Sequence, residues 1–139
     1  MSDLEKAISI AVTAHNGQYD KAGEPYVLHP LRLMFKFQDK NEMIVAVLHD
    51  VIEDSQVSLD DLKDHGFSKI IIDAVECLSR HINESYEDFI VRVYGNPLAK
   101  KVKVEDIKDN LSVYRLREIT KKDLVRIEKY HDALRFLLG

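Results

Sequence analysis

The chain has 139 residues, of which 45% are apolar, enough for one domain with a real core and too short for two. Its net charge of −4 and pI near 5.8 exclude the basic field that favours nucleic-acid backbones or anionic membranes. Met1 is followed by Ser2-Asp3-Leu4-Glu5 rather than a basic and then apolar leader, and no apolar run approaches transmembrane length, so a cytoplasmic protein with no membrane partner is expected.

Asp3 to His15 reads as an amphipathic helix, with Leu4, Ala7, Ile8, Ala11 and His15 on one stripe. Ser2 or Asp3 suits its N-cap. His15 faces inward, either as a hydrogen-bonded core histidine or as support for a site. Asn16 to Pro30 reads as a loop broken by Gly17, Gly23, Pro25 and Pro30. It carries Lys21, Tyr26 and His29, residue types that handle phosphate or metal, and Lys21 and Tyr26 are candidate substrate contacts. His29 precedes Pro30, which favours an extended backbone at that residue and a helix starting over Leu31 to Phe37.

The stretch Met43 to Asp54, MIVAVLHDVIED, reads as one helix that is apolar nearly all round at its start and therefore buried, with Asp39 or Asn41 as cap. At i,i+4 spacing His49 sits beside Glu53, and Asp50 beside Asp54. His49 and Asp50 differ by about 100° around the axis, so an ion between their directions touches both. The cluster is satisfied either by a hydrogen-bond network or by a cation. Four ionisable groups between His49 and Asp54 favour the cation.

Ser58 caps a helix from Leu59 to about His65, ended by Gly66, and Ser68 caps another over Lys69 to Leu78. Cys77, the single cysteine, falls in that helix's apolar series Ile70, Ala74, Cys77, Leu78 and reads as a small packed hydrophobe. His65 and His81 sit at polar element ends. Glu84 to Val93 presents Tyr86, Phe89, Ile90 and Val93 on one side, and Pro97 starts a helix from Leu98 to about Tyr114. On that helix Asp106 and Asn110 share a face, with Lys103 three residues earlier. Asp106 is either a further metal ligand, with Asn110 as a substrate contact, or a solvated acid on a stripe with Glu105, Lys108 and Asp109. Thr120 caps a last helix, Lys121 to about Leu138, whose inner stripe is read as Leu124, Ile127, His131, Leu134 and Leu138. Repeats, glycine-rich phosphate loops and strand alternation are absent, so the chain reads as all-α, one domain over 1–139.

Four motifs in order, AHNGQ (Ala14 to Gln18), KAGEPYVLHP (Lys21 to Pro30), LHDVIED (Leu48 to Asp54) and VKVEDIKDNL (Val102 to Leu111), resemble the HD superfamily. They are most similar to the hydrolase domain of the RelA/SpoT alarmone enzymes and their small stand-alone relatives. The resemblance implies a compact HD-type helical bundle that removes the 3′-diphosphate from guanosine tetra- or pentaphosphate. It implies His29, His49, Asp50 and Asp106 as ligands of a divalent metal, usually Mn²⁺. It implies Glu53 and Asp54 as the acidic pair that positions and activates water, and Lys21, Lys103 and Asn110 as positions near the nucleotide. Asp20 and Ser112 stand where the family has arginines, which removes a stacking plane and phosphate charge.

Two imidazoles with two carboxylates suit Mn²⁺, with Fe²⁺, Zn²⁺ or Mg²⁺ as substitutes. The expected partner is a small-molecule nucleotide. The alternatives are hydrolysis of a different nucleotide or phosphate ester, and a regulatory module that binds metal and nucleotide without turnover.

Overall fold

The computed structural model describes residues 1–139, which form nine α-helices and one 3₁₀ turn and no sheet, apart from an isolated bridge between Tyr19 and Pro25. Helix α3 (Lys40–Leu48) is the centre of the bundle. Ile44, Val45, Ala46, Val47 and Leu48 are all buried, because α1 (Asp3–Ala14), α2 (Leu28–Met34), α6 (Lys69–Cys77) and α8 (Pro97–Leu111) surround them. A helix enclosed on every side has no polar face to keep, which is why its sequence lacks amphipathic alternation.

The local start signals act as read. Ser2 and Glu5 form a capping box on α1, and Asp39 accepts the Glu42 N–H at the start of α3. Ser58 and Asp61 box the start of α5 (Leu59–Asp64), Ser68 caps α6, and Thr120 with Asp123 boxes α9 (Lys121–Leu138). Gly66 follows α5 with φ +87°, a left-handed residue beyond the helix end that glycine adopts without strain.

Five expectations are corrected. Helix α2 begins at Leu28 rather than Leu31, so His29 is helical. Pro30 is tolerated there because first-turn N–H groups have no intrahelical acceptor. The expected single helix Met43–Asp54 is interrupted: α3 ends at Leu48, His49 and Asp50 form a turn, and a short α4 (Val51–Asp54) follows. On α6, Ile70 is exposed and the buried face is Ile71, Ala74, Val75 and Leu78, while Cys77 is buried as expected. Helix α8 stops at Leu111 and gives way to a 3₁₀ turn, Val113–Arg115. On α9, Leu124, His131 and Leu138 are exposed, and the inward face is Asp123, Ala133 and Leu137 with Tyr130 and Leu134 partly covered. That face is chosen by α8 and α7 (Tyr86–Tyr94), against which α9 packs. No helix is long and apolar enough to cross a membrane.

Candidate metal centre

The two histidines reach one point from different elements. His49 caps the C-terminus of α3 and donates its Nδ1–H to the Ala46 carbonyl at 2.7 Å. This fixes the ring tautomer and leaves Nε2 bare. That atom is buried and makes no hydrogen bond, although it lies 2.9 Å from Asp50 Oδ2 and 3.4 Å from Asp106 Oδ1. His29, in the first turn of α2, places Nε2 2.8 Å from Asp106 Oδ1 and 4.0 Å from Asp50 Oδ2. One donor atom each from His29, His49 and Asp106 lie within 4.8 Å of one another, and all three residues are buried.

The break between α3 and α4 explains how adjacent residues share this point. A straight helix would turn Asp50 away from His49. The turn instead brings the Asp50 carboxylate back to the His49 ring, where Tyr26 donates its phenol hydrogen to it. The break also dissolves the expected columns. Glu53 is exposed and accepts the backbone N–H of Arg80, so it is turned away from the cluster. Asp54 is exposed too, but its carboxylate accepts no hydrogen bond from the protein. Gln18 holds its backbone carbonyl at 2.7 Å.

Of the expected substrate contacts, only Lys21 is free, exposed at the rim of the cleft. Lys103 Nζ donates to Asp106 Oδ2 at 2.8 Å, and Asn110 donates to Asp106 Oδ1 at 3.1 Å. With Tyr26 on Asp50, these three side chains hold the carboxylates of the cluster. The solvated alternative for Asp106 is excluded, since it is buried.

Electrostatics follow from this enclosure. Burial pushes the Asp106 carboxyl up, but Lys103 and His49 outweigh it and hold it well below the usual range. Burial pushes both imidazoles down, yet the hydrogen bonds that His29 makes to Asp106 and Asp109 raise it, and the charges of Asp50 and Asp106 raise His49. The cluster thus attracts positive charge strongly. Burial, then the neighbouring charges of Asp50 and Glu53, raise Asp54. The donor set fits a divalent ion: two carboxylates and two ring nitrogens whose other nitrogens are anchored, one of the two being the orphaned, buried Nε2 of His49.

Asp109 is the residue the sequence reading misplaced. It is not on a solvated stripe. It accepts His29 Nδ1–H at 2.6 Å and a two-pronged contact from Arg32 at 2.9 and 3.1 Å. Beside it opens a cleft of about 360 Å³ whose wall carries Lys21, Arg32, Arg115 and Arg126 together with Tyr19 and Tyr130. The three arginines were not singled out in the sequence, because nothing in their local spacing marks them. Asp20 also lines this cleft, and its Oδ1 accepts the N–H groups of Ala22 and Glu24 and closes the loop. Ser112 caps α8 and donates to the Lys108 carbonyl.

The architecture is an all-α bundle, and its fold agrees with that of a solved structure described as a metazoan ortholog of SpoT that hydrolyses ppGpp. The two superimpose with a TM-score of 0.75 at 22% identity over 97% of this chain and 86% of that one, a likeness of fold. The chain is 26% identical over 137 residues to the guanosine-3′,5′-bis(diphosphate) 3′-pyrophosphohydrolase of Aquifex aeolicus (strain VF5), covering 89% of this chain and 20% of that protein. It is 36% identical over 83 residues to the protein of the same description from Vibrio cholerae, covering 55% of this chain and 12% of that protein. The chain therefore spans a fifth or less of the length of these relatives. No family model matches it.

Proposed function

We propose that this chain is a metal-dependent phosphohydrolase that removes diphosphate from (p)ppGpp or a closely related nucleotide. The observation that carries the reading is the convergence of His29, His49, Asp50 and Asp106 beside a cleft walled by Lys21, Arg32, Arg115 and Arg126. An anionic, multiply phosphorylated small molecule suits that wall, while the chain's overall acidity disfavours polymeric nucleic acid. The named activities of its sequence relatives point to the same substrate class.

His29, His49, Asp50 and Asp106 would hold the ion, with Mn²⁺ the first candidate and Fe²⁺, Zn²⁺ or Mg²⁺ as substitutes. When bound, such an ion supplies Lewis acidity, polarising a phosphoryl group and making water easier to deprotonate. The residues of the chain do the rest. Lys21, the cation of the wall without a carboxylate partner, binds and orients the phosphates, and the cleft arginines, paired with Asp109 and Asp123, border the same space. Tyr26, Lys103 and Asn110 hold the cluster's carboxylates in place. Asp54, with a free carboxylate and a raised pKa, accepts the proton of the attacking water as its oxygen bonds to phosphorus. The bond from phosphorus to the 3′ oxygen breaks, and that oxygen takes a proton from solvent. Glu53, tied to the Arg80 N–H, fixes the α4 turn that carries Asp54.

The test is incubation of Mn²⁺-loaded protein with guanosine tetraphosphate and a panel of other nucleotides. Diphosphate release that disappears in His49→Ala and Asp106→Ala is expected. Tight nucleotide binding with no turnover of any phosphate ester or anhydride would overturn the enzymatic reading in favour of a binding module.

A further inference from the structure

We propose that Asp109 is a positioning residue for the ion site: it takes the Nδ1–H of His29, turns Nε2 toward Asp106 and Asp50, and thereby sets the affinity for a divalent cation. The inference rests on the reading of His29 as an ion ligand.

The geometry is a ring held between two carboxylates. Asp106 and Asp109 are three residues apart on α8 and so share a face. His29 lies between them, with Nε2 2.8 Å from Asp106 Oδ1 and Nδ1 2.6 Å from Asp109 Oδ2. Only one of these nitrogens faces the cluster, and Asp109 decides which. A histidine that gives its second N–H to a carboxylate is fixed in tautomer and orientation and is a more basic ligand. His49 is oriented by the uncharged Ala46 carbonyl, so the two imidazoles are anchored by different means.

Asp109 is itself anchored. Arg32 donates Nη2 to Oδ2 at 2.9 Å and Nε to Oδ1 at 3.1 Å, and Arg115 approaches Oδ1 at 3.4 Å. Its side chain retains only 11% exposure. These guanidiniums come from α2 and from the 3₁₀ turn after α8, and both line the cleft. An acid fixed from two sides is a rigid acceptor for His29. Asparagine at this position keeps the size but loses the charge, and its amide presents a donor as readily as an acceptor, so the ring is no longer held to one tautomer.

The experiment is calorimetric titration of the metal-free protein with Mn²⁺ alone. Asp109→Asn is expected to weaken Mn²⁺ binding roughly 10- to 100-fold. In a His29→Ala background the same substitution is expected to change affinity by less than about twofold, because the two act as one unit. An unchanged affinity in Asp109→Asn, or an equal loss without His29, would overturn the inference. A second measurement needs no variant. In the Zn²⁺-loaded wild-type protein, ring ¹⁵N shifts are expected to show His29 protonated at Nδ1 and ion-bound at Nε2, and an ion on Nδ1 would overturn it. Absence of any cation binding by the wild-type protein would instead sink the reading of the site on which the inference rests.

Discussion

Lys103 holds its ammonium 2.8 Å from the Asp106 carboxylate one turn along α8, and both side chains are almost wholly enclosed. Removing one partner of such a pair strands the other charge in the interior. Lys103→Met is expected to lower stability by about 3 kcal/mol in urea denaturation of the metal-free protein. With saturating Mn²⁺ the deficit is expected to shrink, since a cation then sits against the same carboxylate. Wild-type stability in the metal-free variant would contradict this account.

The acidic pair at Glu53 and Asp54 is not equivalent. Asp54 has a carboxylate free of protein donors, whereas Glu53 is occupied by the Arg80 N–H. Asp54→Asn is expected to lower kcat by roughly 10²- to 10⁴-fold, the range of a lost general base. Glu53→Gln keeps an acceptor for Arg80 and is expected to lose far less. Steady-state kinetics on both variants decides, and equal losses would count against the division of roles.

Glu84 carries the clearest acid-dependent stability. Its carboxylate is held at about 2, below its ordinary 4.5, first by the Arg92 guanidinium and then by the His81 N–H. A carboxyl lowered by folding stabilises the native state above its unfolded value, and that contribution fades as pH falls through the folded one. The stability difference between wild type and Glu84→Gln is therefore expected to be flat above pH 4.5 and to shrink between 4.5 and 2. Chemical denaturation across that window checks it, and a difference that grows on acidification would refute it.

Leu48 is wholly buried at the end of α3, immediately before His49. Leu48→Ala is expected to cost about 2–5 kcal/mol, combining lost apolar burial with a cavity that a helix enclosed on all sides cannot close. Thermal or urea unfolding reads this directly, and a cost below about 1 kcal/mol would mean that the bundle collapses around the gap.

The all-α fold and its helix starts were legible because caps are local: Ser2, Ser58, Ser68 and Thr120 each bond a backbone N–H three residues on. His49 and Asp50 stood out as an acidic end on a buried helix, His29 and Asp106 were candidates on their own elements, and motif resemblance joined the four, whose side chains lie around one point. Asp109 was not legible. Its own helix offers only a charged stripe, and its partner His29 lies 80 residues away. The break at His49–Asp50 carries no glycine or proline to announce it. The inward face of α9 was misjudged because apolar side chains lie on both sides of that helix, and only packing against α7 and α8 selects between them.

All four candidate ion donors lie before residue 107, whereas much of the cleft wall, from Asn110 through Arg115 to Arg126 and Tyr130, comes after it. Tyr19, Lys21 and Arg32 complete that wall from the first third of the chain, on either side of His29. Asp109 and Arg115 belong to the same late stretch and reach back to His29, so a change at either alters the cleft and the candidate ion site together, whereas one at Tyr130 alters the cleft alone.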